Sequence, residues 1–220
     1  MVRILGNPIF LLLAAVVISL GAYSYEHWAA QERQEDAVSQ FAKQVFHAPS
    51  SFVAGNKDGD VNVVVFSDYN CPECKKGAPE IAKLIANDPK LRLVIKELPV
   101  LGPDSENVAR LALAAEKQGK YLELHDALFN EPGRMTRNRA LRIAKGLGLN
   151  RAKLEKDSDD RSVSRTLGDN KRLARRLAIK GVPFYLVGDR VIPSDSPDLY
   201  AALTAGVAEI RKNGCRGPCS

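Results

Sequence analysis

Residues 61–76 read V-N-V-V-V-F-S-D-Y-N-C-P-E-C-K-K. The first six, Val61 to Phe66, are β-branched and almost unbroken in apolarity, the pattern of a central strand covered on both faces. That strand delivers the chain to Cys71 and Cys74, a C-x-x-C pair. Pro72 then stands at the first position of a helix, where its missing N–H costs nothing. Ala78 to Ala86 carries apolar residues at helical spacing, and Leu91 to Leu98 returns as a second strand. The order strand, helix, strand with a right-handed crossover makes the two strands parallel. The stretch therefore reads as the start of an α/β layer with two thiols at a strand-to-helix junction.

Position gives the cysteines their chemistry. At an exposed helix start, Cys71 meets free backbone N–H groups and the positive end of the helix dipole, which favour a thiolate, so it is the expected nucleophile. Cys74, one turn on, is the expected resolving thiol. The pair itself carries the electrons, so no organic cofactor is expected. A zinc site would need a second ligand pair from Cys215 and Cys219 or from His27, His47 and His125. The histidines show no ligand spacing among themselves, and no metal is expected. His125, in L-E-L-H-D-A-L-F, reads as a packed or capped helix residue rather than a base. The alternative from another class is a copper-binding or copper-protective protein that uses the same thiols as soft ligands.

Outward from this core, the N-terminus bears Arg3 and then the apolar run Ile9 to Ala22, the order of a secretory signal. Residues 1–25 are expected to be a signal peptide or, if retained, an anchor formed by residues 4–25. Four cysteines in two close pairs suit the oxidising compartment that export reaches. Residues 26–54 are expected to form an N-terminal helix and linker. In Gln31 to Phe46, residues Ala37, Val38, Phe41, Ala42, Val45 and Phe46 share one face, which either packs on its own domain or forms a stalk joining subunits. Pro49, Gly55, Asn56 and Gly59 mark 47–60 as linker or turn.

Downstream the pattern becomes wholly helical from about 104 to 180. Ser105 is the expected cap of a helix over Glu106 to Gln118, and Thr136 caps another through Lys145. Val163, Leu167, Asn170, Leu173 and Leu177 mark a third. Pro183 to Val187 and Arg190 to Ile192 read as strands joined at Gly188-Asp189, and Pro197 to Lys212 as a closing helix, giving a domain over 55–213. The tail, 214–220, holds Cys215 and Cys219, for which a local disulfide, a redox relay and a metal clasp all remain open. Arg134 to Lys180 has 15 Lys or Arg against five Asp or Glu and no Phe, Tyr or Trp. Without aromatic residues to stack bases it reads as solvated helix faces rather than a nucleic-acid surface, with attraction toward an anionic membrane or acidic substrates as the other use.

V-V-F-S-D-Y-N-C-P-E-C-K-K, K-E-L-P-V-L-G-P-D-S, Q-G-K-Y with L-H-D-A-L-F, and G-V-P-F-Y-L-V-G-D occur in that order between Gly55 and Ala208. Together they resemble the DsbA-type periplasmic thiol-disulfide oxidoreductases, in the branch of Com1-like and ScsC-like proteins. The resemblance implies a thioredoxin fold with an all-helical insertion between the C-x-x-C half and a cis-proline half. It implies that Val182-Pro183 forms the cis-proline loop, whose backbone binds an extended substrate strand. Exported proteins with thiols or disulfides, and a membrane redox partner, are the implied partners. Two positions depart from the pattern. Val65 stands six before Cys71, where many relatives of the fold have a buried acid. Pro72-Glu73 separates the cysteines, and the Glu73 carboxylate beside Cys71 makes a weaker oxidant than histidine would, although Val182 resembles the more oxidising members.

Overall fold

The structure, a computed structural model, describes residues 8–219. Residues 1–7 of the expected signal segment and the side chain of His27 lie outside the described residues. The N-terminal segment is one helix, α1 (Pro8–Gln40), continued after Phe41 by the short α2 (Ala42–Phe46). Between Leu11 and Tyr25 its large apolar side chains are exposed. Among the described residues no helix is long and apolar enough to cross a membrane.

Five strands form one sheet in the order β1-β3-β2-β4-β5: β1 (Phe52–Gly55), β2 (Val61–Ser67), β3 (Leu91–Glu97), β4 (Phe184–Val187) and β5 (Arg190–Ile192). As the crossover rule requires, β2 and β3 are parallel, with Ser67 opposite Glu97, while β4 runs antiparallel to β2. β1 corrects the expectation of linker or turn throughout 47–60. Its four residues pair antiparallel with β3. So short a strand among Pro49, Gly55, Asn56 and Gly59 is specified by its partner rather than by its own pattern.

All seven residues of β2 are buried, and the pleat sends alternate side chains to opposite faces. Val63 and Val65 join the larger core with α3 (Pro72–Asn87) and α9 (Leu199–Asn213). Val64 and Phe66 meet Val38, Ala42, Val45 and Phe46 of the N-terminal helices, together with Leu173 and Leu177. The N-terminal amphipathic face thus packs on its own domain. Each such buried Val, Leu or Phe side chain contributes roughly 1.5–3 kcal/mol of transfer free energy.

Between the two halves lie α4 (Pro103–Ala115), α5 (Tyr121–Asn130), α6 (Arg137–Gly146), α7 (Arg151–Ser158) and α8 (Arg161–Arg176). This is the all-helical insertion of a thioredoxin fold. Thr136 caps α6 through the Arg139 amide. Ser105 does not cap α4: the cap position is Gly102, with φ 103°, followed by Pro103. Proline's preset φ starts the helix three residues early, at Pro103 rather than Glu106, and Ser105 becomes a buried hydrogen-bond partner for Asn70 at 3.2 Å.

Candidate thiol-disulfide site

Cys71 caps α3, and the Cys74 amide donates to its sulfur at 3.3 Å. On the other side the Cys71 thiol donates to the Val182 carbonyl oxygen at 3.3 Å, and the Val182–Pro183 bond is cis. Two segments 111 residues apart therefore meet at one sulfur. Both cysteines are free thiols. The expectation that Cys71 is exposed is corrected: it is 5% exposed and Cys74 2%. The Val182 loop covers the helix start from outside, which reading the 61–76 stretch alone does not reveal. Burial pushes the Cys74 thiol well above its usual range, the Cys71 sulfur adding to it. Pro72 stands at the helix start, and Glu73 points outward to Lys76 at 2.8 Å.

Three residues hold this corner against the rest of the molecule. Asp68 accepts from the Asn70 amide with one carboxylate oxygen and from the Val100 and Leu101 amides with the other, at 2.8 to 3.0 Å. The Asn70 side chain accepts from the Met135 amide at 2.6 Å and donates to the Met135 carbonyl at 2.9 Å. The Lys75 ammonium reaches the Glu131 and Gly133 carbonyls at 2.8 and 2.6 Å. The insertion is thereby fastened to the cysteine loop. Asp68, Asn70 and Lys75 flank the cysteines in sequence, yet apart from the Asn70 amide their partners lie 32 to 65 residues away, beyond any local pattern.

Beside Cys74 opens a cavity of about 270 Å³, lined mainly by apolar residues of α3 and the sheet together with Pro183 and Tyr185. Its polar lining includes Ser67, His125 and Asp126. Val65 lines it, and the carboxylates buried in this region are Asp68, before the cysteines, and Glu97 on the neighbouring strand, each 1% exposed. The Tyr69 and Tyr121 hydroxyls both donate to Glu97 Oε1 at 2.6 Å, and Tyr69 also lies 2.7 Å from His125 Nδ1. Burial first, then the charge of Glu97, raises both phenols well above their usual range, so they remain donors. His125 is packed, as expected, against Tyr69, Tyr121 and Phe129. Among the described residues no group of three or more His, Cys, Asp or Glu side chains is arranged to hold a metal.

Cys215 and Cys219 form a disulfide with Cα atoms 6.3 Å apart. Asp189 accepts from the Arg216 and Gly217 amides at 2.6 and 3.3 Å, and Asn62 donates to the Cys219 carbonyl at 2.6 Å. The tail is thus fixed at the Asn62 end of β2, whereas Cys71 follows its other end, about 17 Å further along at roughly 3.3 Å per residue.

With this geometry in view, the relatives are informative. In curated sequences the chain matches a Na+/H+ antiporter, NhaA 3, of Salinispora tropica, 28% identical over 76% of the chain, and spans about a quarter (26%) of that protein's length. A thioredoxin-like oxidoreductase from Silicibacter pomeroyi superposes with a TM-score of 0.74 at 38% identity, covering 77% of this chain and 97% of the other. The catalytic domain of Proteus mirabilis ScsC gives a TM-score of 0.70 at 26% identity, covering 79% and 98%. The DSBA-like thioredoxin domain model matches residues 62–204, from the central strand through the cis-proline loop to the closing helix, and the chain belongs to that family.

Proposed function

We propose that the protein is a thiol-disulfide oxidoreductase of exported proteins, with Cys71 as attacking thiol, Cys74 as resolving thiol and the Val182–Pro183 loop as the seat of the substrate strand. The observation that carries this reading is the Cys71 sulfur, held between the Cys74 amide and the Val182 carbonyl, each at 3.3 Å. Such a sulfur has a donor on its helix side and the backbone of the cis-proline loop beside it, which suits attack on a sulfur carried by an extended chain. Attack of the Cys71 thiolate on a substrate disulfide forms a mixed disulfide and releases one substrate thiolate. Cys74 then attacks the Cys71 sulfur, closes the Cys71–Cys74 bond and releases the second; the two cysteines have given up two electrons. Run in reverse, the same steps oxidise a substrate dithiol.

The apolar run after Arg3 supports export to the periplasm, with residues 4–25 attaching the chain to the inner membrane if they are retained. A membrane redox partner restores the Cys71–Cys74 couple. The test is insulin reduction and peptide oxidation by the full chain, beside Cys71→Ser, and capture of substrate on Cys74→Ser. Loss of activity in the first and mixed disulfides in the second are expected. Stoichiometric Cu(I) binding without catalysis would select the copper-protective alternative.

A further inference from the structure

We infer that His125 is the proton acceptor for Cys74, acting through the cavity beside that thiol, and that Glu97 and Tyr69 position it for that role. The inference rests on the assignment of Cys74 as the resolving thiol.

The hydrogen-bond directions fix the imidazole. Tyr69 and Tyr121 each spend their single proton on Glu97 Oε1. The Tyr69 oxygen, 2.7 Å from His125 Nδ1, can therefore only accept, so Nδ1 carries the proton. That leaves Nε2 as a lone-pair acceptor, and no hydrogen bond to it forms among the described residues. An imidazole whose Nδ1–H is oriented through a phenol toward a buried carboxylate is built as a base. His125 lines the same cavity as Cys74.

A second observation comes from Ser67. The Ser67 hydroxyl, on a residue 3% exposed, lines this cavity and has no hydrogen-bond partner among the described residues. A buried hydroxyl of that kind calls for water. At about 270 Å³ the cavity holds several waters, each needing two to four polar partners. Ser67, His125, Asp126 and Cys74, which all line it, carry the polar groups that supply them. Cys74 needs such a path, because burial holds its proton on while the resolving step demands the thiolate. Asp68, Cys71 and Tyr185 are the groups that act on it directly; of these the Asp68 carboxylate is already taken up by the Asn70, Val100 and Leu101 amides, and Cys71 is the electrophile of that step. In resolution the Cys74 proton passes through water to His125 Nε2 as the Cys74–Cys71 bond forms and the Cys71–substrate bond breaks. When the protein oxidises a substrate, Cys74 leaves as thiolate and the proton returns.

The test treats the reduced full chain with one equivalent of dithiobis(nitrobenzoate) and follows release of the coloured thiolate. The first phase is attack by Cys71, the second is resolution by Cys74. In His125→Ala the first phase should be unchanged and the second slowed by about 10- to 100-fold, within the usual contribution of a positioned base. Added imidazole should restore the second phase in proportion to its free-base fraction, which a purely structural role would not produce. If His125→Ala does not fold, His125→Gln keeps a donor toward Tyr69 and should show the same slow second phase. A second phase at the wild-type rate, equal slowing of both phases, or slowing in His125→Ala without imidazole rescue overturns the inference. Absence of the first phase in the wild type would instead overturn the role of Cys71.

Discussion

Gly77 lies directly against the hydroxyl of Tyr185: a Cβ added to this helical glycine would collide with that oxygen. One turn after Cys74, α3 thus rests on the strand that follows the cis-proline. Gly77→Ala gains about 1 kcal/mol of helix propensity but forces apart a packed contact at a cost of about 1–3 kcal/mol. A net loss of about 1 kcal/mol in urea unfolding is expected, and Tyr185→Phe in the same chain should recover most of it. Additive losses in the double variant would place the strain elsewhere.

The Glu73 carboxylate is exposed and paired with Lys76, so its effect on the thiol couple is smaller than its place between the cysteines implies. An exposed pair of this kind is worth a few tenths of a kcal/mol, on the order of 10 mV for a two-electron couple. Glu73→His should make the Cys71–Cys74 potential more positive, by about that amount plus whatever the new imidazolium adds. Equilibration against glutathione buffers reads it directly, and no shift, or a negative one, would remove Glu73 from control of the redox poise.

Lys96 is fully buried on β3, its nitrogen 2.6 Å from the Gln44 carbonyl and 2.7 Å from the Ser51 hydroxyl. A neutral amine satisfies both acceptors with its two protons, and burial lowers its pKa from 10.5 to about 7. Between those values the unfolded chain binds more protons than the folded one, so stability rises with pH across that window and is reduced below it. The slope reaches at most about 1.4 kcal/mol per pH unit. Lys96→Met lacks this dependence, so the stability of the wild type relative to the variant should climb from pH 7 toward about pH 9.5. A constant difference would mean that the amine stays charged.

The C-terminal disulfide is fixed at the far end of β2 from the thiol pair and cannot exchange with it inside one molecule. Cys215→Ser with Cys219→Ser should therefore retain most of the turnover. It should lose at most about 2 kcal/mol, the loop-closure entropy of so short a ring. A collapse of turnover with the fold intact would require electron exchange between the two pairs.

The strands β2 and β3, the thiol junction and the helical character of the insertion were legible because each is written as a local period. β1 was not, since four residues among turn-formers owe their strand to pairing with β3. The burial of Cys71 was hidden for a related reason: its cover comes from Val182, far along the chain. Glu97, Tyr121 and His125 fall inside the motifs that carry the family resemblance, but their convergence on Tyr69 joins β3, α5 and the cysteine loop. No spacing announces a meeting of three separate elements, and Ser105 has the residue type of a cap but lies inside the helix because Pro103 starts it earlier.

The pairing of β2 with β4 also has a bearing on how the protein comes to exist. Val63 to Phe66 must await Phe184 to Val187, so one edge of the central strand stays bare until the whole insertion has been made. Contacts of such long sequence separation close slowly. A newly made chain consequently displays its thiols for a time without the Val182 carbonyl beside them, and the corner around Cys71 is among the last parts of the molecule to be completed.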